Sequence, residues 1–334
     1  MGRAVTERAS ARVWVALWIV YVVWGSTYLA IRVLVHPTSG AAVPPLLGAG
    51  ARFCLAGLVM LAVTVRRPAA DGLPDPLGRK QWGAAAVVGT ALLLGGNGLV
   101  SLAEKRVASG PAAVLIATVP IWAALIAAAV GRERVRARHA VGLGLGFAGV
   151  AVLVLGSGAG RLDAVGALVL VAAALSWSAG SVWSRTAPLV RRPLVMTGME
   201  MVCGGLACFI AGLASGELSQ LHLSQVAGRG WFALAYLIVF GSMLAYTAYV
   251  WLLNNAQLSL VTTYAYVNPL VAVLLGVVLL GEHFTARTAI ATTVIVAGVA
   301  LIVSRPRERE AAAAAGAPEA TPEAVAPEPV ESRG

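Results

Sequence analysis

The chain has 334 residues, of which 59% are hydrophobic and only 12% are charged. Soluble domains carry about 25% charged residues, and several apolar blocks of this chain exceed the roughly 20 residues that cross a bilayer as a helix. These proportions exclude an ordinary soluble protein. They predict an all-α polytopic membrane protein.

The charges and the cysteines narrow the class further. The formal net charge is +10, but the charged residues cluster in short loops between apolar blocks, where positive charge sets the orientation of a membrane protein. We therefore expect a lipid bilayer, and not nucleic acid, as the surroundings of this chain. Cys54, Cys203 and Cys208 all lie within apolar blocks, so they predict neither a disulfide framework nor a metal site. No cofactor is expected.

The apolar blocks predict ten membrane-spanning helices. Their predicted ranges are 13–34, 44–65, 82–103, 108–130, 138–156, 164–185, 194–214, 230–253, 258–280 and 286–303. Residues 1–12 form a basic lead. The first apolar block lacks a small-residue cleavage motif and is predicted to be a retained helix, not a signal peptide. Residues 304–334 are rich in Ala, Pro and Glu, a composition that predicts a disordered tail.

The distribution of Lys and Arg predicts that both termini are cytoplasmic. With that orientation, the inner side receives the basic clusters within residues 3–12, 66–80, 132–138, 185–192 and 305–309. The outer side receives fewer basic residues, which are Lys105, Arg106, Arg161, Arg229 and Arg287. An excess of positive charge on the cytoplasmic side is the usual rule.

The sequence repeats itself. A single shift of the sequence aligns Pro120 with Pro269 and Gly149 with Gly298, and it needs no gap between Val114 and Val154. We therefore predict two five-helix repeats, over residues 13–156 and 157–303. Because five is an odd number, the second repeat must enter the membrane upside down. Inverted repeats are a recurrent plan in secondary transporters, with the substrate site near the midplane between the halves.

Four strings resemble a known family. They are VVWGSTYLAIR (22–32), ARFCLAGLVMLAV (51–63), GNGLVSLAEKRVASGPAAVLIATVP (96–120) and TTYAYVNPLVAVLLGVVLLGE (262–282). They are similar to the EamA family of the drug/metabolite transporter superfamily, and most similar to its YedA-like exporters. The resemblance covers residues 13 to 303 and excludes the tail.

The resemblance implies a ten-helix carrier of the bacterial cytoplasmic membrane. Such a protein exports amino acids, metabolites or drugs by alternating access, and proton coupling is a further expectation. In the family, the first, third, fourth, sixth, eighth and ninth helices line the central cavity. The family fixes no single substrate. A homodimer is also compatible with the resemblance.

Two charged residues lie inside predicted spans, where a charge costs at least about 2.5 kcal/mol near the bilayer centre. They are Arg52 in the second span and Glu200 in the seventh, at nearly equivalent positions of the two repeats. Glu200 is a candidate for binding a cationic group or a coupling proton, and Arg52 for binding an anionic group. The alternative for each is a structural ion pair or a side chain that extends to the membrane surface.

A set of polar and aromatic residues is the candidate substrate pathway: Trp24, Asn97, Trp177, Tyr246, Tyr264 and Asn268. An apolar, aromatic cavity with a few placed polar groups suits amphipathic small molecules. The alternative is that the aromatic residues form interfacial belts and that the amides hold helices together.

Pro120 and Pro269 are predicted to break or bend their helices, because proline removes a backbone hydrogen bond. Glu133 and Glu282 follow these two helices. They are candidates for gating the pathway, and the alternative, which we favour, is that they are solvated or held by neighbouring Arg. The glycines from Gly142 to Gly149 allow close helix packing, either within the chain or between two copies.

An enzyme and a channel are the rival classes. The four histidines are His36, His139, His222 and His283, and all fall in or beside predicted loops. The sequence contains neither a nucleophile elbow nor a metal-ligand spacing, so no catalytic residue is predicted. A channel would use a similar polar interior, but the inverted repeat and the paired prolines favour alternating access.

Overall fold

Every regular element in the described part of the chain is a helix, with no β-strand among those residues. The computed structural model describes residues 2–35, 37, 39–64, 77–103, 105–107, 115–131, 137–155, 163–280 and 286–303. The predicted tail and both Glu133 and Glu282 lie outside the described residues, as does the beginning of the predicted fourth span.

The main helices follow one another with short connections. We number them α1 (Gly2–Val35), α2 (Pro45–Thr64), α3 (Arg79–Ala103), α4 (Val119–Ala129), α5 (Ala137–Leu155), α6 (Ala164–Ser184), α7 (Pro193–Ala214), α8 (Gly228–Asn255), α9 (Tyr264–Leu280) and α10 (Ala286–Val303). Two 3₁₀ turns, Glu217–Gln220 and Leu223–Gln225, connect α7 to α8, and a short helix, Leu258–Val261, precedes α9. The basic lead is continuous with α1.

Among the described residues, 6 helices are long and apolar enough to cross a membrane. They are Ala11–Val35, α2, α3, α6, α7 and α8. Shorter apolar helices cover Val119–Ala129, Ala137–Val152 and Ala289–Ile302. The chain is therefore a multi-pass membrane protein, and its described part is all-helical. The predicted number of ten crossings goes beyond this finding.

Local chemistry explains where several helices begin and end. The Asp163 side chain accepts a hydrogen bond from the Gly166 amide at 2.8 Å and caps the start of α6. Pro193 stands in the first turn of α7, where a missing amide hydrogen costs nothing. Gly216 follows the end of α7 with a φ of 76°, a left-handed conformation that glycine adopts readily after a helix.

The second helices of the two predicted repeats pack closely and run antiparallel. A Cβ atom added at Gly57 would lie 2.7 Å from the backbone oxygen of Gly198, and one at Gly50 would lie 3.0 Å from that of Gly205. Because the residue numbers of the contacts rise along α2 and fall along α7, the two helices are antiparallel. The absence of side chains at these positions lets the two backbones touch, as small residues do in membrane helix pairs.

The fifth helices of the predicted repeats pack in the same antiparallel way. A Cβ atom added at Gly142 would lie 2.9 Å from the Gly298 oxygen, and one at Gly149 would lie 3.1 Å from the Ala291 oxygen. At Gly146, an added Cβ would lie 2.7 Å from the Tyr266 ring. Gly142, Gly146 and Gly149 therefore serve packing within the chain, and a homodimer stays a prediction.

Several contacts between helices occur twice, once for each pair of equivalent helices in the two halves. Helix α1 packs against α9 and against α8, and correspondingly α6 packs against α4 and against α3. Helix α7 packs against α3, and α2 against α8. The same packing scheme therefore occurs twice.

Two wide helical turns, absent from the sequence prediction, interrupt the third helices of the two halves. Thr90–Gly98 in α3 and Leu237–Tyr246 in α8 are π-helical. Such segments are rare and occur frequently at functional sites. Their positions correspond under the repeat, so each half has its π segment at the equivalent place in its third helix.

A long-range carboxylate cap fixes the start of α2. Glu217, only 2% exposed, accepts hydrogen bonds through Oε2 from the amides of Leu46 and Leu47, at 3.0 and 2.9 Å. These amides belong to the first turn of α2, where amide hydrogens lack partners within the helix and the dipole favours negative charge. The contact ties the end of α7 to the start of α2.

We expect Glu217→Ala to lower the free energy of unfolding by about 1–3 kcal/mol, because it leaves two buried amides without an acceptor. Glu217→Gln keeps one acceptor and should lose less. The measurement is the melting temperature of the purified protein in detergent. Gln220→Ala, at an exposed position of the same 3₁₀ turn, is the control. Equal melting temperatures for Glu217→Ala and this control would contradict the cap.

Candidate functional site

A cavity of about 90 Å³ lies between the helices of the two halves. Its polar and aromatic lining residues are Trp24, Thr27, Arg52, Asn97, Trp177, Tyr264 and Asn268. The rest of the wall consists of apolar side chains and glycines: Ile31, Gly96, Val100, Ile116, Val119, Ala173 and Gly241. The lining comes from α1, α3, α4, α6, α8 and α9, the segment just before α4, and one residue of α2.

The structure brings five of the six predicted pathway residues to this cavity. Trp24, Asn97, Trp177, Tyr264 and Asn268 line it, and Arg52 joins them. The sixth, Tyr246, is buried away from the lining. Contact of these residues with a substrate stays a prediction.

Four aromatic rings form one contiguous cluster beside the cavity. The Trp24 ring lies 5.6 Å from Trp177, 5.0 Å from Tyr249 and 5.0 Å from Tyr264, measured between ring centroids. The Trp24 contacts with Trp177 and Tyr264 are edge-to-face, the geometry that the ring quadrupoles favour. Trp24 thus contacts each of the other three rings of the cluster.

Hydrogen bonds fix the orientation of the two tryptophans. Trp24 Nε1 donates to the backbone oxygen of Gly241 at 3.2 Å, within the π segment of α8. Trp177 Nε1 donates to the Tyr249 hydroxyl at 2.9 Å, and that hydroxyl also shares a 2.6 Å hydrogen bond with Ser181. The tryptophans therefore serve as cavity walls with satisfied indole groups, which differs from the interfacial belt considered above.

Tyr249 holds a central position in the cluster but was not among the predicted pathway residues. Its ring is buried and contacts both tryptophans. The available signal was the pair of aromatic residues Tyr246 and Tyr249, three apart on one helix face.

Arg52 is buried inside the protein. Its side chain is 7% exposed, and Nη2 donates to Asn97 Oδ1 at 3.2 Å. The guanidinium carbon lies 4.1 Å from the centroid of the Phe53 ring. The Nε atom is buried without a hydrogen-bond partner. Within the described part of the chain, Arg52 forms no ion pair.

Glu200 occupies the matching place in the second half. It is 1% exposed, and its Oε2 accepts a hydrogen bond from the Tyr246 hydroxyl at 3.0 Å. Tyr246 ends the π segment of α8, and Asn97 lies at the corresponding point of the π segment of α3. Each half therefore has one buried ionisable residue bonded to a polar residue of the next helix, a cation in the first half and a carboxyl group in the second.

The two prolines hold different helical positions. Pro120 stands in the first turn of α4, directly after the turn at 117–118, whereas Pro269 lies inside α9. The carbonyl that precedes Pro120 accepts a hydrogen bond from Ser178 at 3.1 Å. Asn268 lies beside Pro269. With its side-chain nitrogen facing them, Asn268 donates to the carbonyl oxygens of Tyr21 at 3.2 Å and Tyr264 at 3.1 Å. Asn268 thus joins α1 and α9 while it lines the cavity.

Metal chemistry finds no support in the described residues. No group of three His, Cys, Asp or Glu residues among them could hold a metal ion. Cys54, Cys203 and Cys208 are free thiols. The arrangement instead provides an aromatic wall, a buried guanidinium and amide groups, which can bind an amphipathic molecule.

We expect Tyr249→Phe to reduce stability by about 1–3 kcal/mol, because it leaves the buried indole nitrogen of Trp177 unpaired. It should also change the near-ultraviolet circular dichroism of the aromatic cluster. Tyr266→Phe is the control, since the Tyr266 hydroxyl donates to the Leu143 oxygen at 3.2 Å in a separate core. An unchanged spectrum for Tyr249→Phe would contradict the role given to this hydroxyl.

Comparison with known proteins gives the relationship of the chain. The sequence profile of the EamA-like transporter family matches twice, over residues 13–155 and 164–304. The inner membrane transporter YedA of Escherichia coli K12 is 38% identical over 292 residues, which cover 86% of this chain and 89% of that protein. A WAT1-related chloroplastic protein of Arabidopsis thaliana is 25% identical over 300 residues, covering 86% of this chain and 69% of that protein.

The fold also matches a solved structure. One crystal structure of a protein has the same fold, with a TM-score of 0.69 and 22% sequence identity. The match covers 89% of this chain and 96% of the chain in that crystal structure. The two family matches and the similarity to YedA confirm the resemblance predicted from the four strings. They identify the chain as a membrane transporter and not an enzyme. The chain belongs to the EamA-like transporter family.

Proposed function

We propose that this chain is a secondary transporter that exports small amphipathic molecules, such as metabolites, amino acids or drugs, across the bacterial cytoplasmic membrane. The observation that carries the proposal is the cavity between the two halves, walled by aromatic rings and furnished with a few buried polar groups. Such a lining suits ligands with an apolar body and a polar group. YedA, a relative covering most of the chain, is named an inner membrane transporter.

The proposed architecture is ten membrane crossings in two inverted five-helix repeats. The antiparallel packing of α2 on α7 and of α5 on α10 supports it, as do the two successive matches to one family. Inverted repeats place the substrate site where the halves meet, and the cavity takes its lining from both halves.

Alternating access is the proposed mechanism. The cavity of about 90 Å³ is smaller than the roughly 300–1,000 Å³ of pockets that enclose a drug-sized ligand. Loading and release of such a ligand therefore require the two halves to move relative to one another. A channel-like pore would instead conduct without this movement.

A transport assay decides whether the chain is a carrier, a channel or neither. Expression in a sensitive host should confer resistance to a subset of amino acids, analogues and drugs, and a proton uncoupler should restore their accumulation. In proteoliposomes, a carrier should show counterflow, with unlabelled substrate on one side accelerating uptake of the label. Flux without counterflow would favour the pore, and no flux of any compound would contradict transport.

Glu200 is the proposed proton-coupling residue. A carboxyl group can carry a proton across the transport cycle, and this one is buried and accepts a hydrogen bond from the Tyr246 hydroxyl. We expect Glu200→Gln to lower coupled transport by about tenfold or more, the equivalent of one strong interaction of about 1.4 kcal/mol, and to flatten its dependence on pH. The amount inserted in the membrane should stay the same.

The measurement is substrate efflux from proteoliposomes across a range of pH. Thr293→Ala is a matched control, because Thr293 is an exposed residue of α10. Unchanged efflux and pH dependence in Glu200→Gln would remove Glu200 from the mechanism.

We expect both termini to face the cytoplasm and residues 157–162, between the proposed repeats, to face the periplasm. The positive-inside rule supplies the reason. Alkaline phosphatase fused within 157–162 should be active, whereas a fluorescent protein at the C-terminus should fold and fluoresce. An inactive phosphatase within 157–162, or a C-terminal fluorescent protein that stays dark, would contradict the inverted arrangement.

A further inference from the structure

The guanidinium of Arg52 is only partly paired by the helices packed around the cavity. The other lining residues come from α1, α3, α4, α6, α8 and α9, or from the segment directly before α4, whereas Arg52 enters from α2. A guanidinium offers five hydrogen-bond donors. Arg52 uses one of them, toward Asn97, and its buried Nε atom has no partner.

A buried charge without a counter-ion is costly, and burial is normally accompanied by pairing. The matching carboxyl group of Glu200 does not supply the pair, because it accepts a hydrogen bond from Tyr246 instead. None of the described residues that line the cavity is acidic. The cavity therefore contains a fixed positive group whose partner is not supplied by the described part of the chain.

The rest of the wall selects the body of the ligand. Trp24, Trp177 and Tyr264 present aromatic surface, and apolar side chains such as Ile116 and Val119 continue it. In each edge-to-face pair around Trp24, the edge of one ring covers a face of the other. Those covered faces are not open to an ammonium group, which binds aromatic rings face-on.

We propose that the ligand of this cavity is an amphipathic organic anion, whose single carboxylate binds the guanidinium of Arg52 and whose apolar or aromatic body packs against Trp24, Trp177 and Tyr264. This inference rests on the proposed transport function and names its substrate class. An arginine fork matches a carboxylate through two parallel hydrogen bonds. A zwitterionic amino acid binds less well than the corresponding acid without the ammonium group, because its ammonium would lie near a fixed positive charge with no carboxylate in the lining.

The test measures equilibrium binding of four matched probes to the full-length protein in a neutral detergent. The probes are 3-phenylpropanoate, its amide 3-phenylpropanamide, the amine 3-phenylpropylamine and the amino acid phenylalanine. We expect 3-phenylpropanoate to bind at least about tenfold more tightly than the other three, the scale of a charge-assisted hydrogen bond. Equal or tighter binding of the amide, the amine or the amino acid would overturn the proposal, and this comparison needs no variant.

Variants locate the binding group. Arg52→Gln should weaken 3-phenylpropanoate at least about tenfold and leave the amide unchanged, whereas Arg52→Lys should lie between the two because it keeps the charge but loses the fork. Arg229→Gln, at an exposed arginine beside the start of α8, is the matched control and should bind as the parent protein does. Unchanged carboxylate binding in Arg52→Gln would overturn the proposal.

Competition identifies the source of the anion. Acetate and chloride should displace 3-phenylpropanoate only weakly, because they lack the apolar body. Full displacement by these anions at equal concentration, or by phosphatidylglycerol, would overturn a small organic ligand in favour of a bare anion or a lipid. Flux in proteoliposomes is measured separately. Carboxylate binding without flux contradicts the transport function alone, and amine flux without carboxylate binding contradicts this inference alone.

Discussion

The close approach of α2 and α7 is the contact on which the arrangement of the site depends. Gly57 faces Gly198 and Gly50 faces Gly205 with no side chain between the backbones. This contact sets the depth of the two buried ionisable residues, because Arg52 and Glu200 belong to these same helices. A larger residue at any of the four glycines would separate the helices and displace both polar pairs together.

Each polar side chain at the centre of the molecule is placed by a neighbouring helix. The indole of Trp24 bonds a carbonyl in the π segment of α8, and Ser176 donates to the Ala91 carbonyl in the π segment of α3 at 2.9 Å. In a bilayer, irregular backbone is tolerated where protein groups satisfy it. The π segments and the cavity thus depend on each other. A side chain of α1 hydrogen-bonds the backbone of the π segment in α8, and a side chain of α6 hydrogen-bonds the backbone of the π segment in α3.

Sequence reasoning predicted the helices and most of the cavity wall because both follow from local patterns. Apolar length predicts a span, and a polar or aromatic residue within a span predicts an interior position, which Trp24 and Asn97 fulfil. It did not predict the Glu217 cap, because that contact joins residues 170 apart in the chain. It also missed the π segments, because hydropathy contains no information on whether a backbone amide bonds four or five residues back. The entry of Arg52 into the cavity depends on how α2 is rotated, which only packing decides.

The π segments have a mechanical consequence. A π turn holds one residue more than the α turns on either side, and one residue of an α-helix corresponds to a rotation of about 100°. If the extra residue migrates along α3, the stretch that it passes turns about its axis while the helix ends stay in place. Asn97 lies within such a stretch, so a migrating bulge would swing its amide away from Arg52 without any displacement of α2. The same movement in α8 would withdraw the Tyr246 hydroxyl from Glu200. Each half would then have a helix segment that rotates without movement of one half relative to the other.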